Sequence, residues 1–200
     1  MSKILLLSAG TSENSGNKKA AQYALGYLEK KEIKTYLFDN LYSEIPFILE
    51  GGIVQPDKII EIRDALIECD QIIIFSPVFN GGYVSHLKNT LDWLSRKKVN
   101  ETPKENFLNL KTIVVGASIG KNGASRSIER LQVLLRELGV DKDTLNYSLA
   151  KASNDTFDQN GKLIISKEIN IIRKLITGYL ELIDSLREDL DSSITKVIQN

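Results

Sequence analysis

The sequence predicts an α/β protein in which a parallel sheet is covered by helices on both faces. Three observations lead there. Short apolar runs alternate with segments whose apolar residues recur at helical spacing. Residues 72–75, Ile-Ile-Ile-Phe, are apolar without a break, as in a strand buried on both sides. Loops rich in glycine and in short polar side chains follow three of the apolar runs.

Along the chain, residues 4–7 read as a first strand, and Ala20, Ala21, Ala24, Leu25 and Leu28 then recur as a helix stripe. Residues 33–38 read as a second strand. Pro56 suits a helix start, where its missing N–H costs nothing, and Ile59, Ile62 and Leu66 supply the apolar face. The third strand, 72–75, leads into a helix striped by Val84, Leu87, Leu91 and Leu94. Residues 112–116 form a fourth strand, followed by a helix facing the core through Ile128, Leu131, Leu135 and Leu138. A weaker strand over 144–149 comes fifth. Right-handed crossovers restrict the topology, and five strands suit the flavodoxin-like order 2-1-3-4-5, a three-layer arrangement. At the end, Ile169, Ile172, Ile176, Tyr179, Ile183, Leu186 and Leu190 step by three and four. This predicts a long amphipathic helix at about 166–190, whose distal part packs on another subunit. The chain reads as a single domain over 1–200, with no repeat or linker.

Composition narrows the function. The 26 basic and 26 acidic residues balance, and the pI is about 6.6. No basic field exists to draw nucleic acid or an anionic membrane. The apolar run near the start is too short for a signal-peptide core or a membrane span. The lone Cys69 forms no internal disulfide, which fits a reducing cytoplasm. No His, Cys and carboxylate cluster has metal-ligand spacing, and no nucleophile elbow occurs.

In sheets of this kind ligands lie beyond the carboxyl ends of the strands. The first loop there, residues 8–17, reads SAGTSENSGN. Before a helix it offers hydroxyls, N–H groups and a positive dipole end to an anion. It also reads as an ordinary polar loop with Ser15 or Asn17 as the N-cap. It matches neither G-x-G-x-x-G nor the nucleoside-triphosphate P-loop. The second loop, residues 76–83, reads SPVFNGGY. Pro77 stiffens it, Phe79 offers a flat face, the Asn80 amide both donates and accepts, and the glycines admit close backbone approach. A planar heteroaromatic ring would use all of these; a Gly-Gly turn with a core phenylalanine is the plainer reading. The third loop, residues 116–124, is again glycine-rich. Three such loops on one sheet edge favour a bound group with a phosphate and a flat ring.

Residues 76–93, SPVFNGGYVSHLKNTLDW, resemble the NADPH-dependent FMN reductase family, the flavodoxin-like group that includes quinone, azo-dye and chromate reductases. Residues 45–47, Ile-Pro-Phe, are similar to its segment after the second strand. Residues 15–17, Ser-Gly-Asn, are similar to the end of its phosphate loop, and 120–126 to its third loop. The resemblance spans about residues 3–150. It implies that Thr11, Ser12, Ser15 and Asn17 hold the FMN phosphate, that Pro77, Val78, Phe79, Asn80 and Gly81 line the isoalloxazine, and that Ser118 and Gly120 border its other side. Ser12 stands where the family usually has an arginine, Phe79 where it has a tyrosine, and Val84 where it has a proline.

The resemblance further implies an FMN-dependent enzyme oxidising NADPH or NADH by ping-pong, with a quinone, azo compound, flavin or metal oxyanion as the small-molecule acceptor, assembled as a homodimer or homotetramer. The flavin does the chemistry, so no catalytic side chain is required. A flavodoxin-like electron carrier or a non-enzymatic flavin-binding module is the alternative. Lys88 and Asp92, at i and i+4, read as a helix-supporting pair. Trp93 reads as packing at a helix end or subunit interface, His86 as a surface or interface side chain, and Cys69 as a small hydrophobe.

Overall fold

The computed structural model describes residues 3–49, 54–96, 107, 110–120, 123–140, 145–149, 173–174 and 176–178. The elements alternate: β1 (Lys3–Ser8), α1 (Gly16–Glu29), β2 (Lys34–Phe38), α2 (Asp57–Glu68), β3 (Gln71–Phe75), α3 (Ser85–Leu94), β4 (Lys111–Ala117), α4 (Ser125–Glu137) and β5 (Leu145–Leu149). All neighbours pair in parallel, in the order β2-β1-β3-β4-β5. This is the flavodoxin-like order expected from the alternation.

The central strands show why continuous apolar runs were needed. Leu5, Leu7, Ile72 and Ile74 face a core layer closed by Ile59 and Ile62 of α2, Leu87 and Leu91 of α3, and Ile128 and Leu131 of α4. The intervening residues Ile4, Leu6, Ile73 and Phe75 face a second layer closed by Ala20, Ala21, Ala24 and Leu28 of α1. Successive strand residues point to opposite faces, so both sets must be apolar. The alanines of α1 let its backbone lie close to the sheet. Ile176 joins this second layer, Tyr27 Oη and Thr177 Oγ1 are 2.8 Å apart, and Arg173 Nε donates to Tyr23 Oη at 2.7 Å. The rest of the expected C-terminal helix, including the part expected to meet another subunit, lies outside the described residues.

Registry brings the functional loops to one level. Ser8 lies beside Phe75, and Phe75 beside Val115. Pairing runs one residue further, with Ala9 N–H donating to Phe75 O at 2.8 Å and Ser76 N–H to Val115 O at 2.9 Å. A buried asparagine then clamps two loops together. Asn17, at the start of α1, donates from Nδ2 to Ala117 O at 3.1 Å and accepts at Oδ1 from Ala117 N–H at 2.9 Å.

Two side chains place α3. Arg63, fully buried, donates to the carbonyls of Trp93 and Arg96, both at 3.0 Å, and so satisfies the helix end. Trp93 is itself buried and donates from Nε1 to Pro46 O at 2.8 Å. Asn89 joins the same segment, accepting from Ile48 N–H at 2.9 Å and donating to Pro46 O at 3.0 Å. The segment after β2 is thus fastened to α3. Lys88 meets both oxygens of Asp92, at 2.6 and 2.7 Å, within the helix. Cys69 is buried at the end of α2, where desolvation and its acidic neighbours push its thiol up to about 12.

At the opposite sheet edge, Glu68 accepts from Tyr36 Oη at 2.6 Å, Lys3 Nζ at 3.0 Å and Lys34 Nζ at 3.1 Å. Led by the Tyr36 hydroxyl, these donors hold its carboxyl down to about 2 from an ordinary 4.5. A depressed folded-state value means stability that is complete above pH 4.5 and lost as pH falls toward 2. Glu68→Gln should therefore lower the urea midpoint at neutral pH, and its deficit should shrink progressively below pH 4.5 and in high salt. Asn17→Ala should cost about 1–3 kcal/mol in urea unfolding, because it orphans the buried Ala117 N–H. Asn17→Asp should cost at least as much, since a carboxylate cannot donate to Ala117 O.

Candidate functional site

The loop after β1 begins where β1 leaves the core. Ser15 is the N-cap of α1 and accepts at Oγ from Asn17 N–H at 3.3 Å. A turn closes ahead of it, Ser15 N–H donating to Ser12 O at 3.0 Å. Ser15 is folded tightly against Gly10, where an added Cβ would lie 2.2 Å from Ser15 Oγ. Thr11 and Ser12 are exposed and bring their hydroxyls to the approach of the helix start. The first turn of α1 holds no acid, so positive dipole potential is unopposed there. Lys18 swings aside to lie 5.5 Å from the Tyr42 ring centre.

His86, on the first turn of α3, holds the base of this loop. Its Nε2 lies 2.9 Å from Ala9 O, which can only accept, so Nε2 carries the proton. Burial pushes its imidazole below the ordinary histidine value and keeps it neutral. Tyr42 meets it edge-on at 6.0 Å. The sequence reads His86 as a surface or interface side chain; within this chain it is half-buried and also fixes the loop through Ala9.

The loop after β3 is a β-hairpin in miniature. Phe79 and Gly82 exchange both backbone hydrogen bonds at 2.9 Å, around Asn80 and Gly81. Both turn residues have positive φ, 50° and 76°. Asn-Gly is the pair that tolerates this conformation best in a two-residue turn. Phe79 is not a core residue: it is 56% exposed. Ser127 of α4 ties the loop down, its hydroxyl donating to Pro77 O at 3.1 Å.

A cavity of about 490 Å³ opens where these loops meet. The first loop and the start of α1 contribute Thr11, Ser12, Asn14, Ser15, Gly16, Asn17 and Lys19 to its lining. The second loop contributes Pro77, Val78 and Phe79, and the third Ala117, Ser118 and Ile119. Three of the sequence-predicted residues are not among its lining. Asn80 and Gly81 are occupied by the turn that presents Phe79, and Gly120 by a turn in which its N–H donates to Ser118 Oγ at 3.2 Å. Asn17 lines the cavity, but its amide is committed at both ends to Ala117. Its contribution is to hold the first and third loops together.

Asn14, Gly16, Lys19, Ala117 and Ile119 also line the cavity and are not among the predicted binding residues. The one visible signal for Ile119 was an apolar residue in a glycine-rich loop, and it is 84% exposed. Among the described residues, no carboxylate, imidazole or thiol lines the cavity. One end therefore suits an anion, held by hydroxyls, a helix start and one lysine; the other suits a flat apolar group. The volume lies within the range of small-molecule sites, roughly 300–1,000 Å³. Among the described residues, no three His, Cys, Asp or Glu side chains converge as metal ligands, and no helix is long and apolar enough to cross a membrane.

Known proteins resemble this chain along most of its length. It is 26% identical over 175 residues to the NAD(P)H-dependent FMN reductase of Pseudomonas aeruginosa, covering 86% of this chain and 90% of the relative. It is 24% identical over 192 residues to the NADH-dependent flavin reductase subunit 2 of Lactobacillus johnsonii, covering 93% and 100%. In fold it is similar to FerB, a flavoenzyme NAD(P)H:(acceptor) oxidoreductase of Paracoccus denitrificans, with a TM-score of 0.73, 18% identity, and coverage of 92% and 98%. Residues 2–141 match the family pattern described as NADPH-dependent FMN reductase. With its three loops converging on one cavity, the chain belongs to the NADPH-dependent FMN reductase family, and so to the oxidoreductases.

Proposed function

We propose that the protein is an FMN-dependent NAD(P)H oxidoreductase that uses the cavity between the three loops as its flavin site. The observation that carries this reading is the division of that one cavity into a hydroxyl-lined end at a helix start and an apolar end walled by Pro77, Val78 and Phe79. FMN has the same division between its phosphate and its ring.

In this reading Thr11, Ser12 and Ser15 hold the phosphate with neutral donors, and Lys19 supplies the nearby charge. A helix terminus with main-chain N–H groups binds a phosphate without an arginine, which accounts for Ser12 in the usual arginine position. Pro77 and Val78 support the ring, Ser118 offers a polar group at its edge, and Phe79 and Ile119 form an apolar rim past which a flat substrate approaches. Asn17, His86 and Ser127 keep the loops at fixed spacing. Bound FMN would supply the hydride chemistry between the nicotinamide and a quinone, azo, flavin or metal-oxyanion acceptor. The protein's own contribution is orientation and fixed dipoles; among the described residues no carboxylate, imidazole or thiol lines the cavity to move a proton. The names of the relatives from P. aeruginosa and L. johnsonii support the reductase reading. Cytoplasmic location and a homodimer or homotetramer complete the proposal; the balanced charge and the single buried cysteine fit it.

The decisive measurement is the visible spectrum. FMN added to the purified protein should bind with flavin absorption, and NADPH or NADH should bleach it anaerobically. Binding without bleaching by either donor would instead favour an electron carrier, and failure to bind FMN would reject the site. Gly10→Ala should displace Ser15 and weaken FMN binding by roughly ten- to a hundredfold, the loss expected for one charge-assisted hydrogen bond. Riboflavin, which lacks the phosphate, should lose much less, and FMN fluorescence quenching reads both.

A further inference from the structure

Arg126 and Arg130 stand one turn apart on α4, and both are exposed. They lie along the Asn80–Gly81 turn. A Cβ added at Gly81 would be 3.9 Å from Arg126 Cδ and 3.9 Å from Arg130 Nη1, and one at Gly82 would be 3.7 Å from Arg130 Nη1. The same turn presents Phe79 to the cavity, and Ser127, between the two arginines, fastens α4 to Pro77. The two arginines therefore flank the turn that presents Phe79, outside the cavity's lining, while Lys19 is among that lining.

Within the fold this placement is little compensated, since Glu129 lies between the two arginines on α4 but forms an ion pair with neither. Like charges at i and i+4 repel. Arg126 lies in the first turn of α4, which contains no acid, so the helix dipole opposes it as well. The ion pairs among the described residues involve Lys3, Lys34, Lys58 and Lys88, and neither of these arginines. Arg63 shows the contrast, since its guanidinium is buried and bonded to two carbonyls. An incoming anion relieves both repulsions at once. Planar guanidinium forks match phosphate oxygens two at a time, and the side-chain-free Gly81 and Gly82 leave room for a phosphate to reach both.

We propose that Arg126 and Arg130 bind a phosphate of the pyridine nucleotide as its nicotinamide enters over the ring end of the cavity. This rests on the cavity being the flavin site of an NAD(P)H oxidoreductase. The phosphate is either the pyrophosphate common to NADH and NADPH or the 2′-phosphate found only in NADPH. The two arginines would then set nucleotide affinity while leaving flavin binding to the first loop.

The test uses the FMN-loaded protein and its Arg126→Gln, Arg130→Gln and double variants. FMN titration comes first, and all three variants should bind FMN like the parent protein. Calorimetric titration with NADP⁺ and NAD⁺ comes second. Each single change should weaken nucleotide binding about tenfold, the effect of losing one charged hydrogen-bonding partner, with KM raised in parallel and the reduction rate at saturation within about twofold. Weakening of NADP⁺ alone assigns the 2′-phosphate; equal weakening of both assigns the pyrophosphate. Variants that retain FMN and bind both nucleotides as tightly as the parent would overturn the proposal. If the parent protein takes no FMN, the functional reading fails instead, and the arginines are then judged on the flavin-free chain with 2′,5′-ADP against 5′-ADP: equal loss or loss of the former in the variants supports them, and no change removes them.

Discussion

In-register hydrogen bonding among β1, β3 and β4 is the constraint on which the site depends. Ser8, Phe75 and Val115 lie side by side, and the loops beyond them leave the sheet at one level. A shift of one residue in any strand would turn its core residues to the wrong face. The apolar residues on both faces of β1 and β3 therefore fix the height of the loops as well as the core. Geometry at the rim is inherited from burial far below it.

Above the sheet the loops are joined by a few polar side chains acting on main-chain groups. Asn17 joins the first loop to the third, His86 joins the first to the start of α3, and Ser127 joins the second to α4. Each such bond is modest alone, about 0.5–1.5 kcal/mol net, but a buried partner left without its mate is expensive. The result is a rim with little freedom to open or collapse. This suits a site that works by orientation: flat groups must be stacked in order, and among the described residues no carboxylate or imidazole lines the cavity to compensate for poor alignment.

Much of this was legible in the sequence, and the remainder was not for identifiable reasons. The order of strands followed from apolar runs and helix stripes, because a strand buried on both faces leaves an unbroken signal, as in Ile72, Ile73 and Ile74. The loops were legible as a group because three strand ends carried the same small polar residues. Individual roles were harder. Asn80 reads as a ligand-binding amide, and the sequence leaves unsaid that it and Gly81 also adopt positive φ to form the turn. Asn17 looked like a phosphate ligand, and its amide instead meets Ala117, a hundred residues away in sequence. Such pairings depend on which loop faces which, and no local pattern encodes that. The hold of His86 on Ala9 was hidden for the same reason, since burial there comes from packing of α3 and leaves no periodic mark. Of the expected long C-terminal helix only five residues, all helical, fall within the described part of the chain, and the rest lies outside it.

Among the described residues, the lining of the cavity consists of serine, threonine, asparagine, glycine and apolar residues, with Lys19 as the ionisable member. None of those side chains is a carboxylate, imidazole or thiol. The field felt by a bound redox group is therefore set chiefly by hydroxyl and main-chain dipoles. A slope of midpoint potential with acidity would then arise mainly from the guest molecule's own protons.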